Sequence, residues 1–216
     1  MTITLEQMYE MQKELDARII REKGLEGQDL LPNTVLALQV EIGELANEWR
    51  GFKHWSNDRE PRTVVQVTCP TCKGKGEVPD LADGMGYTFC PDCGRSGQVI
   101  VNKLLEEYVD CLHFFLSIAR QLELPADDLY AWEDDPEGET NILFIELLHN
   151  VGLIIGDQFL FHKPEDVKEW RREHLRSSLF IFYALGEKHL GFTFDQIATA
   201  YVEKNRVNHE RQANGY

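Results

Sequence analysis

Apolar positions along the chain recur mostly at helical spacing. Residues 4–22 set Leu5, Met8, Leu15 and Ile19 on one face, Thr4 with Gln7 forms the pattern of a capping box, and Gly24 and Gly27 end the segment. Pro32 and Asn33 open a second helix carrying Leu36, Leu38, Val40, Ile42, Leu45 and Trp49, which stops at Gly51. The pattern resumes over 103–122 with Leu104, Leu105, Val109, Leu112, Phe115, Leu116 and Ala119. Pro125 and the acidic stretch Glu133 to Glu139 predict a loop. Segment 140–161 is apolar nearly all round, which suits a core or a subunit interface. A helix from Pro164 to about His189 follows, then a last one from Asp195 to Gln212 that turns Ile197, Tyr201, Val202 and Val207 inward.

The stretch from Asn57 to Asn102 breaks this pattern. It is rich in glycine and proline, alternates Val and Thr, and holds four of the five cysteines, so it reads as a small inserted module built of β-hairpins. The expected organisation is a helical domain made of 1–56 and 103–216, interrupted by a module over 57–102. The fold class is all-α: a helical bundle with one metal-bearing insertion.

Composition narrows the function classes. A chain of 216 residues has room for one substantial domain, and 43% hydrophobic with 27% charged residues fits a soluble globular protein. The formal charge of -15 argues against a nucleic-acid surface, because phosphate binding needs clustered Lys and Arg. A nucleotide substrate stays open, since divalent cations can sit between an acidic site and a triphosphate. No apolar run is long enough for a membrane helix, and the N-terminus lacks the basic leader and apolar core of a secretory signal, so a cytoplasmic protein is expected.

Two helices carry paired acids. Glu41 and Glu44 lie at i and i+3, Glu48 continues their stripe, and Glu107 with Asp110 repeats the spacing. A single such pair is usually a solvated face. Here the acids border Leu38, Val40, Ile42 and Leu45 on one helix, and Leu104, Leu105, Val109 and Leu112 on the other, which suggests a cleft. Four carboxylates brought together repel one another, and Mg²⁺ relieves that with hard oxygen ligands.

Near the C-terminus, Lys204, Asn208 and Arg211 recur at i, i+4 and i+7 on one helical face, with Asn205 beside them. These groups suit phosphate and sugar oxygens. On composition alone they better suit an exposed helix end, where the helix dipole favours cations. Gln12 shares the apolar stripe of Met8, Leu15 and Ile19, so its inward amide needs a partner.

The cysteines fall into matched knuckles, Cys69-Pro-Thr-Cys72-Lys-Gly-Lys-Gly76 and Cys90-Pro-Asp-Cys93-Gly-Arg-Ser-Gly97. Four thiolates at this spacing suit one tetrahedral, structural Zn²⁺. The half-motif resembles the zinc-binding repeats of DnaJ-type chaperones. Cys111 stands alone and reads as a small buried hydrophobe.

Three blocks, LALQVEIGELANEWRGFKHWS, EEYVDCLHFFLSIA and AYVEKNRVNHERQANGY, resemble the signature blocks of the dimeric dUTPases in order. That family belongs to the all-α nucleoside triphosphate pyrophosphatase superfamily, with the MazG-like and dCTP-hydrolysing enzymes. The resemblance implies a homodimer that hydrolyses dUTP to dUMP and pyrophosphate by attack of water on the α-phosphorus. It implies Glu41, Glu44, Glu107 and Asp110 as Mg²⁺ ligands, with Glu41 or Glu44, preferably Glu44, orienting or deprotonating the water. It assigns Lys204, Asn205, Asn208 and Arg211 to phosphates and sugar, and Gln12 and Trp55 to the base. Asp16 stands where the family often has asparagine, and the 62-residue separation of Glu44 from Glu107 exceeds the family's usual connection. The rival readings are a dCTP or broad-range pyrophosphatase, and a non-catalytic zinc-bearing adaptor.

Overall fold

The computed structural model describes residues 2–80, 86–130, 136–156 and 164–215. Six α-helices are described: α1 (Leu5–Lys23), α2 (Leu31–Trp49), α3 (Lys103–Gln121), α4 (Thr140–Leu153), α5 (Pro164–Ala184) and α6 (Phe194–Ala213). A short 3₁₀ turn covers Ala126–Leu129, and a π turn at Leu185–His189 extends α5.

The expected local signals operate. Thr4 and Gln7 form a reciprocal capping box on α1, and Gly24 caps its end in the left-handed conformation. Thr193 and Gln196 do the same for α6, and the Asn102 side chain accepts from the Leu105 N–H at the start of α3. Helix α3 is the centre of the bundle, with Leu104, Tyr108, Leu112, Phe115, Leu116 and Ala119 all buried. Helix α2 packs along it through Val35, Leu38, Ile42 and Leu45, each at 0% exposure. Fully burying such a side chain stabilises the fold by about 1.5–3 kcal/mol, so this seam fixes the relative position of the two acid-bearing helices.

Some sequence expectations shift. Leu36 and Val40 lie on the solvent side of α2, and Val202 on the solvent side of α6. Tyr201 is buried as expected and Ile197 packs against the core, and the fully inward stripe of α6 adds Ala198 and Asn205, at the spacing that faces α1 and α3. Helix α4 ends at Leu153; positions 157–161 of the apolar segment, and 133–135 of the acidic stretch, lie outside the described residues. Among the described residues no helix is long and apolar enough to cross a membrane.

The cysteine segment carries four short strands: β1 (Val65–Thr68), β2 (Glu77–Pro79), β3 (Tyr87–Phe89) and β4 (Gln98–Val101). Strands β1 and β4 pair antiparallel from Val65↔Val101 to Thr68↔Gln98, and β2 pairs with β3. The first pair is a stem that leads straight into α3. Just before it, Arg62 donates its N–H to the Glu48 carbonyl (3.0 Å) and accepts from the Leu104 N–H (3.2 Å). Its guanidinium also reaches the Glu48 carboxylate at 3.3 Å. The module is therefore tied to the end of α2 and the start of α3 at one point.

Candidate active site

The α2–α3 seam brings acids from both helices together. Ligand oxygens of Glu41, Glu107 and Asp110 lie within 4.8 Å of one another. Glu44, one turn along α2, is exposed beside this trio and adds to the negative field at both Glu41 and Glu107. Burial, then the neighbouring carboxylates with Asp110 foremost, pushes Glu41 and Glu107 up to about 7. Burial also raises Asp110, against the pull of Lys204, whose ammonium donates to Asp110 Oδ2. A lysine cation thus sits where the acid cluster calls for positive charge. Hard oxygen donors converging from two helices fit a divalent cation of the Mg²⁺ type.

Glu41 and Asp110 of the trio line a cavity of about 300 Å³ whose walls come from α1, α2, α3 and α6; Glu107 lies beside it, outside the lining. Helix α6 supplies Lys204, Asn208 and Arg211 at its mouth, the face expected from their spacing. Helix α1 supplies Gln12 and Asp16, and α3 supplies Asp110, His113, Phe114 and Ser117. A larger, mostly apolar cavity of about 550 Å³ lies on the opposite side of α3, against Tyr108 and Leu112. It lacks convergent charged groups, so the smaller cavity is the better seat for phosphate chemistry.

The inward amide of Gln12 has protein partners. Its Oε1 accepts from the Tyr201 hydroxyl (3.0 Å) and meets His113 Nδ1 at 2.7 Å, and its Nε2 donates to Asp16 Oδ1 (2.8 Å). His113 stacks on Tyr201 with ring centroids 4.1 Å apart. Burial, with the Lys204 charge adding to it, lowers His113 to about 3, so the ring is neutral and its Nδ1 serves as the donor to Gln12.

Two residues fall outside this arrangement. Trp55 is 68% exposed in the turn after α2, edge-on to Phe52 and His54, and does not line the cavity. Asn205 is buried behind the lining, with no partner for Nδ2 among the described residues. Conversely, His113 and Phe114 line the cavity although their side chains carry no acidic or basic motif. They follow Asp110 at i+3 and i+4, so helical spacing alone puts them on its face.

The second candidate centre is the cysteine cluster. Sγ atoms of Cys69, Cys72, Cys90 and Cys93 lie within 4.8 Å of one another, with Cys69–Cys90 at 3.7 Å and Cys72–Cys93 at 3.6 Å. Those separations are far beyond a disulfide and close to the roughly 3.8 Å edge of a tetrahedron with 2.3 Å metal–sulfur bonds. Burial pushes Cys90 up to about 11; burial also opposes ionisation of Cys72, but the Gly76 N–H and neighbouring thiols bring it down to about 7. Gly76 and Gly97, both at positive φ, are required: a Cβ on either would lie 2.4 Å from a carbonyl oxygen of the other knuckle.

The raised carboxylates have a measurable consequence. Between the ordinary value of 4.5 and about 7, the folded chain holds protons on Glu41 and Glu107 that the unfolded chain has released. Their stabilising effect is complete below 4.5 and is lost as pH rises through 7. In metal-free protein, the wild-type Tm should fall relative to that of Glu41→Gln between about pH 5 and about pH 8, and Mg²⁺ should reverse the loss. A pH-independent difference between the two would contradict the acid cluster described here.

Comparison with known proteins bears on both centres. No curated protein matches the chain. A family model described as dUTPase matches residues 4–68 and 95–216, which covers α1 to α3 and α4 to α6 and skips the segment holding Cys69, Cys72, Cys90, Cys93 and the β2–β3 pair. The acid-lined seam, the α6 cations and the α1 amide all fall inside the matched stretches, and the chain belongs to the all-α dUTPase family and is a dUTP diphosphatase.

Proposed function

We propose that the chain hydrolyses dUTP to dUMP and pyrophosphate by attack of water on the α-phosphorus, with Mg²⁺ held by Glu41, Glu44, Glu107 and Asp110. The observation that supports this reading is one cavity lined by Glu41 and Asp110 of the carboxylate trio, by Lys204, Asn208 and Arg211, and by Gln12 at its α1 side. Bound Mg²⁺ supplies charge neutralisation of the triphosphate and a lowered pKa for water. Lys204 moves from Asp110 to the phosphates, where Arg211 joins it, and Asn208 takes a sugar or phosphate oxygen. Glu44, the exposed acid next to the trio, orients the attacking water and takes its proton as the bond from the α-phosphorus to the bridging oxygen breaks. Gln12 offers an amide N–H to the base, with Phe114 as an apolar wall.

Pyrophosphate release from dUTP, dCTP, dTTP and UTP with Mg²⁺ tests this. Turnover should favour dUTP and drop about 10²–10⁴-fold in Glu44→Gln. Unchanged turnover in that variant removes Glu44 from the role, and absence of turnover on every nucleotide ends the reading.

We also propose that residues 57–102 form a structural zinc module. Four free thiols at tetrahedral separations support it. Purified protein should carry one zinc per chain, lost in Cys90→Ser; a chain isolated with these cysteines paired as disulfides contradicts it.

The chain further acts as a cytoplasmic homodimer in this proposal. Leu36 and Val40 on α2, and Ile142 and Ile145 on α4, are large apolar side chains exposed on two helices that pack together. Sedimentation should give twice the 25.0 kDa chain mass, and Ile145→Asp should shift it toward the monomer. A wild-type monomer at micromolar concentration overturns this.

A further inference from the structure

We infer that Arg62 is a positioning residue through which zinc in the cysteine module governs metal binding at the carboxylate site of the helical bundle. The inference rests on the proposed hydrolytic site and the proposed zinc module, and it concerns what joins them.

Arg62 serves the ends of both acid-bearing helices at once. The last four carbonyls of an α-helix and its first four N–H groups have no partner inside the helix. The Glu48 carbonyl is one of these at the end of α2, and the Leu104 N–H is one at the start of α3. Arg62 satisfies the first with its N–H (3.0 Å) and the second with its carbonyl (3.2 Å). Its guanidinium then meets Glu48 Oε1 at 3.3 Å. The Glu48 side chain is only 13% exposed, and its Oε2 is buried with no partner among the described residues. A carboxylate so enclosed depends on the cation it has. Glu48 lies one turn beyond Glu44 on the same face of α2. The Lys103 ammonium, bonded to Glu106 at 2.6 Å, is held up further by Glu107 and Glu48, so Glu48 and the α3 acids act on a common cation. Loss of Arg62 from its place leaves an unpaired anion beside Glu44 and unties α2 from α3 at the end where the acids lie.

What holds Arg62 is the stem. Strand β1 starts at Val65, just after it, and β4 ends at Val101, just before Lys103. A two-stranded ladder of four residue pairs is marginal by itself. At its far end the ladder runs straight into the knuckles: the Cys69 N–H donates to the Gly97 carbonyl at 2.9 Å, and the Cys90 N–H to the Gly76 carbonyl at 3.0 Å. The cysteines pack with Val78 and Val99 in a cluster that shares no residue with the helical core. Metal bound by the four thiolates therefore supplies the folding energy of the stem. Its removal leaves the bundle core in place and lets the stem fray back to Arg62.

The test uses the full chain and Mn²⁺, whose binding is read by electron paramagnetic resonance. Manganese takes hard oxygen ligands as Mg²⁺ does, whereas thiolates favour zinc. Wild type stripped of zinc by a chelator and dialysed should bind Mn²⁺ at least about tenfold more weakly, and added Zn²⁺ should restore the affinity. Arg62→Ala should lose a similar factor with its zinc in place, and Arg62→Lys should recover part of it. Stripping zinc from Arg62→Ala should add little, because both changes break the same link. Helix content followed by circular dichroism should stay at the wild-type level throughout. Should stripping unfold the chain, Arg62→Ala, which keeps all four cysteines, still decides. Unchanged Mn²⁺ affinity in Arg62→Ala overturns the inference, and so do losses that simply add. Protein isolated without zinc whose Mn²⁺ affinity does not rise on adding Zn²⁺ overturns it as well. Because Mn²⁺ binding needs no turnover, these outcomes are separate from failure of the hydrolytic reading, which shows as absence of hydrolysis in zinc-loaded wild type that binds Mn²⁺ normally.

Discussion

Like-charge repulsion among Glu41, Glu107 and Asp110 is the constraint around which the rest of the molecule is arranged. Three carboxylates with oxygens within 4.8 Å do not assemble of their own accord. They are held by an apolar seam that runs beneath them, where Val35, Leu38, Ile42 and Leu45 of α2 meet the buried stripe of α3. The seam fixes helix positions; protonation of Glu41 and Glu107 and the Lys204 ammonium relieve the charge that remains.

Much of this was legible in the sequence because helices encode neighbours at three and four residues. The acid pairs, the Lys204–Asn208–Arg211 face and the knuckle cysteines all lie at spacings that put each set on one side of its element, and α1 announces its start through a capping box. What the sequence left hidden depends on which of two apolar faces wins. Leu36, Val40 and Val202 carry apolar side chains yet point outward, because the helix can bury only one stripe against α3. Asn205 shows the same ambiguity for a polar residue: it shares a motif with Lys204 and Asn208, but its angle on α6 aligns it with Tyr201 in the interior. The partners of Gln12 come from α3 and α6, 101 and 189 residues away, and no local pattern points to them.

The cysteine module enters the bundle without disturbing the seam. Its β1–β4 stem closes on itself, so the two points where the chain leaves and rejoins the helices stay close together. Arg62 fastens that junction to Glu48 and Leu104, at the far end of the α2 acid stripe. The helices on either side fall inside the stretches that match the dUTPase family, and residues 69–94 between them fall outside the match.

The placement of α6 has a consequence for how the protein is made. Synthesis delivers α1, α2 and α3 first and α6 last. Until α6 docks, Asp110 has no lysine partner, the Gln12 carbonyl has no tyrosine hydroxyl, and the newly made bundle carries its acid trio open to solvent. Chain segments emerge and fold from the N-terminal side onward, so a nascent chain can build the scaffold while the nucleotide pocket is still missing a wall. The wall that carries Lys204, Asn208 and Arg211 is thereby the last part of the cavity to be put in place.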